Sequence, residues 1–261
     1  MKYTVITGAC GGLGGAFVEE LAGQGEALLL LGRSAERLER LAKSLKERYG
    51  MEALTYEIDL TDFSQRLRFE EYLAERSIEI SRLINVAGAD IQKGLCEYTQ
   101  EKIAFQARLN FEAAASLCHI ALSKKAKTLE IINISSLSGI YPMPYFAIYS
   151  ATKRALWSFS VALREEVKNA GAKVTAVLPG AIPTREDVKR QIEGQGLWGR
   201  LAAKSPSYVA KKSLQAVRKN KRTYIPGFCN RLMNVFTKCI PLSWKLKFIA
   251  KRWSKISKDA F

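Results

Sequence analysis

A tyrosine and a lysine four positions apart offer the clearest chemistry in the sequence. Tyr149 and Lys153 follow a serine-containing loop, and two residues with this spacing lie on one face of a helix. A phenol has a pKa of about 10, and an adjacent ammonium stabilises the phenolate, so we expect Lys153 to lower the pKa of Tyr149. Such a tyrosine can exchange a proton with a substrate oxygen near neutral pH, and Ser136 could hydrogen-bond the same oxygen. The spacing also occurs on helices by chance, so other motifs must show whether this pair is catalytic.

A glycine-rich turn near the N terminus could hold a phosphate. Residues 2–7 form a β-branched run, residues 8–15 contain five glycines, and a helical pattern follows. Strand, glycine turn and helix form the context of a dinucleotide-binding motif, in which the helix N terminus attracts the pyrophosphate. Gly8 can make the turn, Gly12 admits the pyrophosphate, and Gly14 lets the helix pack on the strand.

The second predicted strand covers residues 27–31, and the residues that follow it indicate whether the cofactor is NAD or NADP. An NAD site usually has an acidic residue at the end of this strand, and none stands there in this chain. Arg33 is the nearest charge and suits the 2′-phosphate of NADP, with a solvated loop arginine as the alternative. Ser34 is typical of a helix N-cap, and Arg37 is expected as a surface charge on the helix that follows.

Strand and helix patterns alternate along the first 227 residues. Short β-branched runs are followed by helical patterns, including one over 99–124 and one over 149–170. The alternation is typical of parallel βαβ units. We therefore expect one α/β domain over 1–227, with a doubly wound, mostly parallel sheet of Rossmann type and helices on both faces. The predicted strands are 2–7, 27–31, 53–58, 82–86, 131–134, 173–178 and 223–225.

Taken together, these motifs resemble the short-chain dehydrogenase/reductase family over about residues 3–190. TGACGGLG at 7–14 is similar to the family's cofactor turn, NVAG at 85–88 to its Asn-Asn-Ala-Gly element, and PGAIPT at 179–184 to its Pro-Gly-x-x-x-Thr segment. Asp59 matches the acid that contacts adenine. The cofactor contacts implied by the resemblance are Gly8, Cys10, Gly11, Gly12, Leu13, Gly14, Arg33, Asp59, Leu60, Asn85, Ala87, Gly88, Tyr149, Lys153, Pro179, Gly180, Ile182 and Thr184.

Two positions depart from the family pattern. Val86 stands where the family often has a second Asn, and hydrophobic contact could replace it. Gly11 stands where many NADP-specific members have a basic residue. Because Arg33 is the cation nearest the end of the second strand, the expected cofactor is still NADP(H) rather than NAD(H).

The resemblance also implies a mechanism of hydride transfer between nicotinamide C4 and a carbonyl or alcohol carbon. Tyr149 would be the acid in reduction and the base in oxidation, while Lys153 would lower its pKa and hold the nicotinamide ribose. Ser136 would polarise the carbonyl, and two other serines in the loop compete for that role. Ser136 is preferred because the family's serine lies thirteen residues before its tyrosine. Asn110 would help to anchor a proton relay through water. The implied tetrad is Asn110, Ser136, Tyr149 and Lys153.

The substrate side of the chain is rich in apolar residues. Tyr141, Met143, Tyr145 and Phe146 could form one wall of an apolar pocket, and 183–203 is typical of a mobile lid. Glycine hinges and apolar side chains support that lid, with ordinary core packing plus a surface loop as the alternative. A small hydrophobic ketone or secondary alcohol is the expected substrate. The residues that suggest the lid are Gly194, Gly196, Leu197, Trp198, Gly199 and Leu201.

The C-terminal segment 228–261 extends beyond the expected catalytic body and is basic. Residues 194–258 hold sixteen Lys and Arg and no acidic residue, whereas residues 1–193 hold 25 basic and 24 acidic residues. A basic amphipathic helix with Trp is typical of binding to an anionic membrane surface. Docking on this protein or on a second subunit is the alternative; nucleic acid is not expected, because no binding motif accompanies the charge. The predicted apolar stripe is Leu242, Leu246, Ile249, Trp253 and Ile256.

Composition bounds the remaining possibilities. An odd number of cysteines without C-x-x-C spacing favours free thiols, hence a cytoplasmic location, at the inner face of a membrane if the tail binds lipid. No leader, spanning helix or metal cluster is expected. The family resemblance implies a homodimer or homotetramer. A dinucleotide sensor or scaffold, or an interaction protein acting through its tail, are the competing functions. The cysteines are Cys10, Cys96, Cys118, Cys229 and Cys239.

Overall fold

The computed structural model describes residues 1–184, 188 and 202–254. The strands are β1 (Lys2–Thr7), β2 (Leu28–Gly32), β3 (Leu54–Glu57), β4 (Glu79–Asn85), β5 (Lys125–Ile134), β6 (Ala172–Val177) and β7 (Thr223–Tyr224). The helices are α1 (Gly12–Ala22), α2 (Ala35–Tyr49), α3 (Phe63–Glu75), α4 (Gln100–Ala107), α5 (Ala113–Ser123), α6 (Ala147–Val167), α7 (Pro206–Arg218), α8 (Phe228–Phe236) and α9 (Leu242–Trp253).

These seven strands form one parallel sheet in the order β3-β2-β1-β4-β5-β6-β7. Both faces of the sheet are covered by helices, so its strands are apolar on both sides. Along β2, Leu29 and Leu31 point into a core shared with α3, α5 and α6. Leu28 and Leu30 point the other way, into a core shared with α1, α2 and α7. The predicted doubly wound sheet is confirmed.

The strand order reverses next to β1, and this reversal positions the site. β2 and β3 lie on one side of β1, and β4 to β7 lie on the other. In open α/β sheets, a crevice forms at the carboxyl ends of the strands where the order reverses. β1 ends at Thr7, β4 at Asn85 and β5 at Ile134. The glycine turn, the NVAG segment and the loop with Ser136 therefore meet at one edge of the sheet.

Two element boundaries differ from the sequence prediction in ways that matter for the site. The helix predicted over 99–124 is interrupted by a π-helical turn over Arg108–Glu112, which places Asn110 in a wider turn of backbone. The strand predicted to begin at Ile131 begins at Lys125. The first half of this strand has no recognisable strand pattern in the sequence, because it is a strand only through hydrogen bonds to neighbouring strands.

The C-terminal helices pack on the body of the protein. Tyr141, in the loop between β5 and α6, hydrogen-bonds Asn234 Oδ1 of α8 at 3.1 Å and the hydroxyl of Thr237. No helix among residues 1–184 and 202–254 has the length and apolar character to span a membrane. Most of the predicted lid over 183–203 lies outside the described residues, as does Ile256.

Candidate active site

The loop after β5 and the first turns of α6 bring three predicted catalytic residues together. Ser136 lies two residues after the end of β5, at the start of a short 3-10 turn, and shares a hydrogen bond with Tyr149. Lys153 lies one turn further along α6 and is 4% exposed, and its Nζ donates to the carbonyl of Ile134 at 2.9 Å. The Lys153 Nζ lies 5.7 Å from the centre of the Tyr149 ring. The side chains are thus held by the strand end and the helix rather than by a free loop.

The two competing serines have other contacts. The Ser135 hydroxyl donates to the carbonyl of Lys153 at 2.7 Å, which ties the strand end to α6. Ser138 contributes a backbone N–H that donates to Ser136 Oγ at 3.1 Å. A Cβ on Gly139 would lie 2.8 Å from the carbonyl carbon of Lys153, so only glycine lets this loop pack so closely on the helix. Of the three serines, Ser136 is therefore the one hydrogen-bonded to Tyr149.

Asn110 holds the segment after β4. Its Oδ1 accepts from Ala89 N at 2.8 Å, and its Nδ2 donates to Ala89 O at 2.9 Å and to Thr152 Oγ1 at 3.1 Å. The side chain is 1% exposed. A Cβ on Gly88 would lie 3.1 Å from both Asn110 Oδ1 and Lys153 Nζ. Asn110 thus links the loop after β4 to α6, and its expected part in a water relay stays a prediction.

Burial is the largest influence on the pKa values of Tyr149 and Lys153. The pKa of the Tyr149 hydroxyl is raised by burial and by the carboxylate of Asp90, and is lowered only by the hydrogen bond with Ser136. The pKa of Lys153 falls to about 8 because burial disfavours its charge, with Asp90 opposing that fall. The predicted net lowering of the Tyr149 pKa is therefore wrong in this structure, because burial outweighs the stabilisation that a nearby ammonium gives to a phenolate. Tyr149 is held protonated, which is the form that can donate to a carbonyl oxygen.

The tail reaches the aromatic side of this site. The ring of Phe146 stacks on Tyr149 with 4.3 Å between centroids, and on Trp253 of α9 with 6.2 Å. Tyr141 and Met143 line two neighbouring cavities of about 540 and 240 Å³. Leu246 lines the first of these cavities, and Ile249 lines the second.

These contacts correct the interpretation of the tail stripe. The residues Leu246, Ile249 and Trp253, predicted to face a membrane, lie against the body of the protein instead. The wall predicted from Tyr141, Met143, Tyr145 and Phe146 is only partly assembled. Tyr145 adopts a left-handed backbone with φ of 61° and is 38% exposed.

A larger cavity of about 850 Å³ opens at the carboxyl edge, beside the glycine turn. Its size is that of a pocket for a cofactor. Gly8 has φ of +61°, and a Cβ on Gly14 would lie 2.0 Å from the Gly8 carbonyl oxygen, so this turn requires glycine at both positions. The predicted cofactor residues that line the cavity are Gly8, Cys10, Gly11, Gly12, Leu13, Gly14, Arg33, Leu60, Ala87, Gly88 and Thr184.

Two predicted cofactor residues face elsewhere. The Asp59 carboxylate accepts from Thr61 N at 2.9 Å and from Thr61 Oγ1 at 2.8 Å, between Ile58 and Leu60, which do line the cavity. Asn85 is 3% exposed and donates to Asn133 Oδ1 at 2.8 Å inside the sheet. Both residues lie at the ends of strands beside the cavity, and their contacts with a cofactor stay a prediction.

The segment after β6 approaches the cavity through one residue. Pro179 O accepts from Leu137 N at 3.0 Å, and Ile182 O accepts from Thr184 N at 2.7 Å. A Cβ on Gly12 would lie 2.8 Å from Thr184 Cβ, so Thr184 closes over the glycine turn. Pro179, Gly180 and Ile182 are absent from the described wall, and their contacts with a cofactor stay a prediction.

Arg37 is a wall residue that the sequence reading missed. It lies in the first turn of α2, behind the Ser34 N-cap, and its Nη2 donates to the Cys10 carbonyl at 2.9 Å. Arg37 and Arg33 line the same cavity. The signal was available, because the first turn of a helix that follows a parallel strand starts at the edge of the sheet where the cofactor crevice lies. Arg37 therefore places a cation beside the glycine turn, in which Gly11 stands where many NADP-specific members of the family have a basic residue.

The cavity fits a phosphorylated dinucleotide. Backbone N–H groups at the start of α1 and two guanidinium groups suit phosphate oxygens, while Leu60, Ala87 and Leu109 supply apolar surface. Lys153 lies near the same edge, since Gly88 lines the cavity and abuts the Lys153 ammonium. The arrangement can hold a nicotinamide cofactor with its reactive end toward Tyr149.

Comparison with known proteins agrees with the observed fold. The profile of the short chain dehydrogenase family matches residues 2–193. Very-long-chain 3-oxoacyl-CoA reductase-A of Danio rerio is 33% identical over 193 residues, which cover 70% of this chain but only 59% of that protein. The chain therefore matches less than two thirds of the length of that relative.

Two solved structures add fold and cofactor context. A short-chain dehydrogenase from Sphingobium yanoikuyae in complex with NADPH has a TM-score of 0.75 and 25% identity, with 100% of both chains covered. L-sorbose reductase from Gluconobacter frateurii, complexed with NADPH and L-sorbose, has a TM-score of 0.77 and 26% identity, covering 87% of this chain and 95% of that one.

Proposed function

The chain belongs to the short-chain dehydrogenase family, and from that premise we propose that it is an NADP(H)-dependent oxidoreductase that interconverts a carbonyl and a secondary alcohol. The observation that carries the proposal is the hydrogen-bonded pair of Ser136 and Tyr149, with Lys153 one turn along, at the edge of a cavity that suits a dinucleotide. A protein that only binds a dinucleotide needs no such pair.

The residues of this chain would perform the proton half of the reaction. The bound cofactor supplies or accepts the hydride. In reduction, the Tyr149 hydroxyl gives its proton to the substrate oxygen, which Ser136 polarises by a second hydrogen bond. The phenolate left on Tyr149 is stabilised by the nearby Lys153 ammonium and opposed by the Asp90 carboxylate. In oxidation, the same phenolate takes the proton back from the alcohol.

NADP(H) is favoured over NAD(H) by two cations in the cofactor cavity. Arg33 and Arg37 lie where the second strand ends and α2 begins, and no acidic residue lines that wall among the described residues. Guanidinium groups pair with phosphate in bidentate geometry. Two structural relatives were solved with NADPH, which supports the same choice.

The proposed substrate is a hydrophobic ketone or secondary alcohol. The apolar side chains around Tyr141, Met143 and Phe146 support this class, as does Trp253 stacked beside them. Relatives named as very-long-chain 3-oxoacyl-CoA reductases act on a keto group in an acyl chain. We propose that the protein is a homodimer or homotetramer in the cytoplasm.

Replacing Tyr149 by Phe tests the proposal. Tyr149→Phe keeps the ring that stacks on Phe146 but removes the proton, so turnover should fall by about 10²–10⁴-fold while NADPH binding changes little. Steady-state rates on a panel of hydrophobic ketones, followed by NADPH absorbance, give the first quantity. Quenching of protein fluorescence by NADPH gives the second.

Tyr145→Phe is the matched control, because Tyr145 is an exposed tyrosine in the same loop region. It should retain wild-type turnover. A Tyr149→Phe protein that kept more than about a tenth of the wild-type kcat would remove Tyr149 from the mechanism. A wild-type protein that bound NADPH and reduced none of the ketones would favour a dinucleotide sensor.

A further inference from the structure

The C-terminal helices expose an unusual share of the large apolar side chains. Of the fifteen exposed large hydrophobic residues in the described chain, nine lie between residues 228 and 248. Trp244 and Phe248 of α9 are 69% and 68% exposed, and Phe228 and Phe236 of α8 are 68% and 64% exposed. Single exposed apolar residues are ordinary, but a concentration of this kind usually marks a surface that binds something.

The exposed residues form the outward faces of two helices whose inward faces are occupied. On α8, Asn230 is buried, Asn234 contacts Tyr141, and Phe228 and Leu232 are on the opposite side. Residues four apart share a helix face, so Phe228, Leu232 and Phe236 form one row.

The same division holds on α9. Leu246, Ile249 and Trp253 lie against the body, while Trp244 and Phe248 form the outward row. Lys245 ties α9 to the turn that follows α8, because its Nζ donates to the Thr237 carbonyl at 2.9 Å. The sequence pattern alone pointed to the inward stripe, and the structure leaves the other face without a partner among the described residues.

Charge decides what this face would contact. Residues 202–254 contain thirteen Lys and Arg and no acidic residue. Five exposed basic residues accompany the two rows: one on α8, one in the turn that follows it and three on α9. They are Arg231, Lys238, Lys247, Lys251 and Arg252. Aromatic side chains ringed by long basic ones suit the boundary between lipid chains and anionic head groups. A second copy of this chain would bring the same basic face against itself, since a two-fold contact pairs like with like.

We propose that the outward face of α8 and α9 docks on an anionic phospholipid surface. Phe228, Leu232, Phe236, Trp244 and Phe248 would enter the interfacial region, and the flanking basic residues would reach the lipid phosphates. The contact is peripheral, and it does not depend on the proposed chemistry. Because Trp253 on the inner side stacks on Phe146 beside Tyr149, docking would also place the site close to a reservoir of hydrophobic molecules.

The test uses the full-length protein and vesicles of defined composition. Co-sedimentation is measured with phosphatidylcholine vesicles containing about one third phosphatidylglycerol and with pure phosphatidylcholine, at about 0.05 M and 0.5 M salt. We expect binding to the anionic vesicles, weaker binding to the neutral ones and partial release at high salt. The salt-resistant part reports the apolar contact.

Paired variants locate the face. The double variant Trp244→Ser, Phe248→Ser should bind anionic vesicles at least about tenfold more weakly, because burial of two aromatic side chains is lost. The control is Phe63→Ser, which removes an aromatic side chain that is 62% exposed on α3 and should bind normally.

Lys247→Glu with Lys251→Glu should abolish the preference for anionic lipid. Thermal unfolding and ketone reduction in detergent-free buffer show that each variant is folded. If the protein reduces no ketone, thermal unfolding alone serves as this check, and the vesicle result can still be interpreted.

Three results would overturn the proposal. The first is no binding of the wild-type protein to anionic vesicles at low salt. The second is equal binding by the Trp244→Ser, Phe248→Ser protein and the wild type. The third is a wild-type oligomer that the same double variant converts to monomers, since the face would then be covered by a second copy of the chain.

Discussion

Tyr149 shows how the surroundings of a catalytic candidate alter its chemistry, through burial first and through the Asp90 carboxylate second. The Tyr149–Lys153 spacing was readable in the sequence, and so was Ser136, because their residue types, order and separations match a known pattern. Asp90 was not readable as part of the site. It follows Ala89, whose backbone N–H and carbonyl are both hydrogen-bonded by the Asn110 side chain. A contact that depends on the backbone position of a neighbouring residue produces no recognisable pattern in the sequence.

Removing the Asp90 charge should shift the pH dependence of the reaction. The Asp90 carboxylate raises the pKa of both Tyr149 and Lys153, so Asp90→Asn lowers both. In alcohol oxidation Tyr149 must be deprotonated, and the rate should therefore begin to rise at a lower pH in the variant than in the wild type. Profiles of kcat against pH measure this shift. Glu36→Gln, at an exposed carboxylate on α2, is the control and should leave the profile in place. A displacement toward higher pH would contradict the sign argued from charge.

Helices and strands were predicted better in kind than in extent. The Ser34 cap on α2 was expected and is present, since Arg37 N donates to Ser34 Oγ at 3.3 Å. The start of β5 at Lys125 and the π-helical turn around Asn110 were not expected, because each depends on what packs against the element. The tail shows the same limit. Its helices have apolar residues on two faces, and amphipathic pattern alone cannot say which face turns inward.

The first turn of α2 should decide the choice of cofactor. Arg33 and Arg37 line one cavity, and a charge-assisted hydrogen bond contributes about 1.5–3 kcal/mol, or about 10–150-fold in affinity. Arg33→Ala and Arg37→Ala should therefore each weaken NADPH binding much more than NADH binding. Dissociation constants for both cofactors, measured by fluorescence titration, test this.

Arg40→Ala is the matched control for these two variants. Arg40 lies on the same helix, pairs with Glu36 and has a side chain that is 68% exposed, so its loss should change neither cofactor's affinity. Equal losses for NADPH and NADH in Arg37→Ala would mean that Arg37 only supports the glycine turn through the Cys10 carbonyl. Equal losses in Arg33→Ala would mean that Arg33 does not contact the 2′-phosphate.

Across the whole molecule, chemistry and stability occupy different parts of the sheet. The carboxyl edge carries the glycine turn, the catalytic candidates and the cofactor cavity. Further back in the sheet, Thr4, Arg82, Glu130 and Lys173 stand side by side on four neighbouring strands. Arg82 Nη2 contacts Glu130 at 2.8 Å, and its Nη1 pairs with Glu26 before β2. The sequence shows these charges inside apolar runs, but the register that aligns them belongs to the folded sheet.

This row predicts a variant that is unstable yet active. The Arg82 side chain is 10% exposed, and Arg82→Met would leave Glu26 and Glu130 without their main partner. Removing one member of a largely buried ion pair costs about 3 kcal/mol or more, because a charge remains without compensation. The free energy of unfolding in urea should fall by about that amount, while the KM for NADPH stays near the wild-type value because the cofactor cavity lies beyond this row, at the carboxyl ends of the strands. Lys173→Met is the control, since that pair is 3.9 Å apart and the lysine side chain is 42% exposed. It should change the stability by less than about 1 kcal/mol. A loss of NADPH affinity in Arg82→Met at a temperature where the protein remains folded would show that this row also shapes the cofactor cavity, and the separation of roles along the strands would not hold.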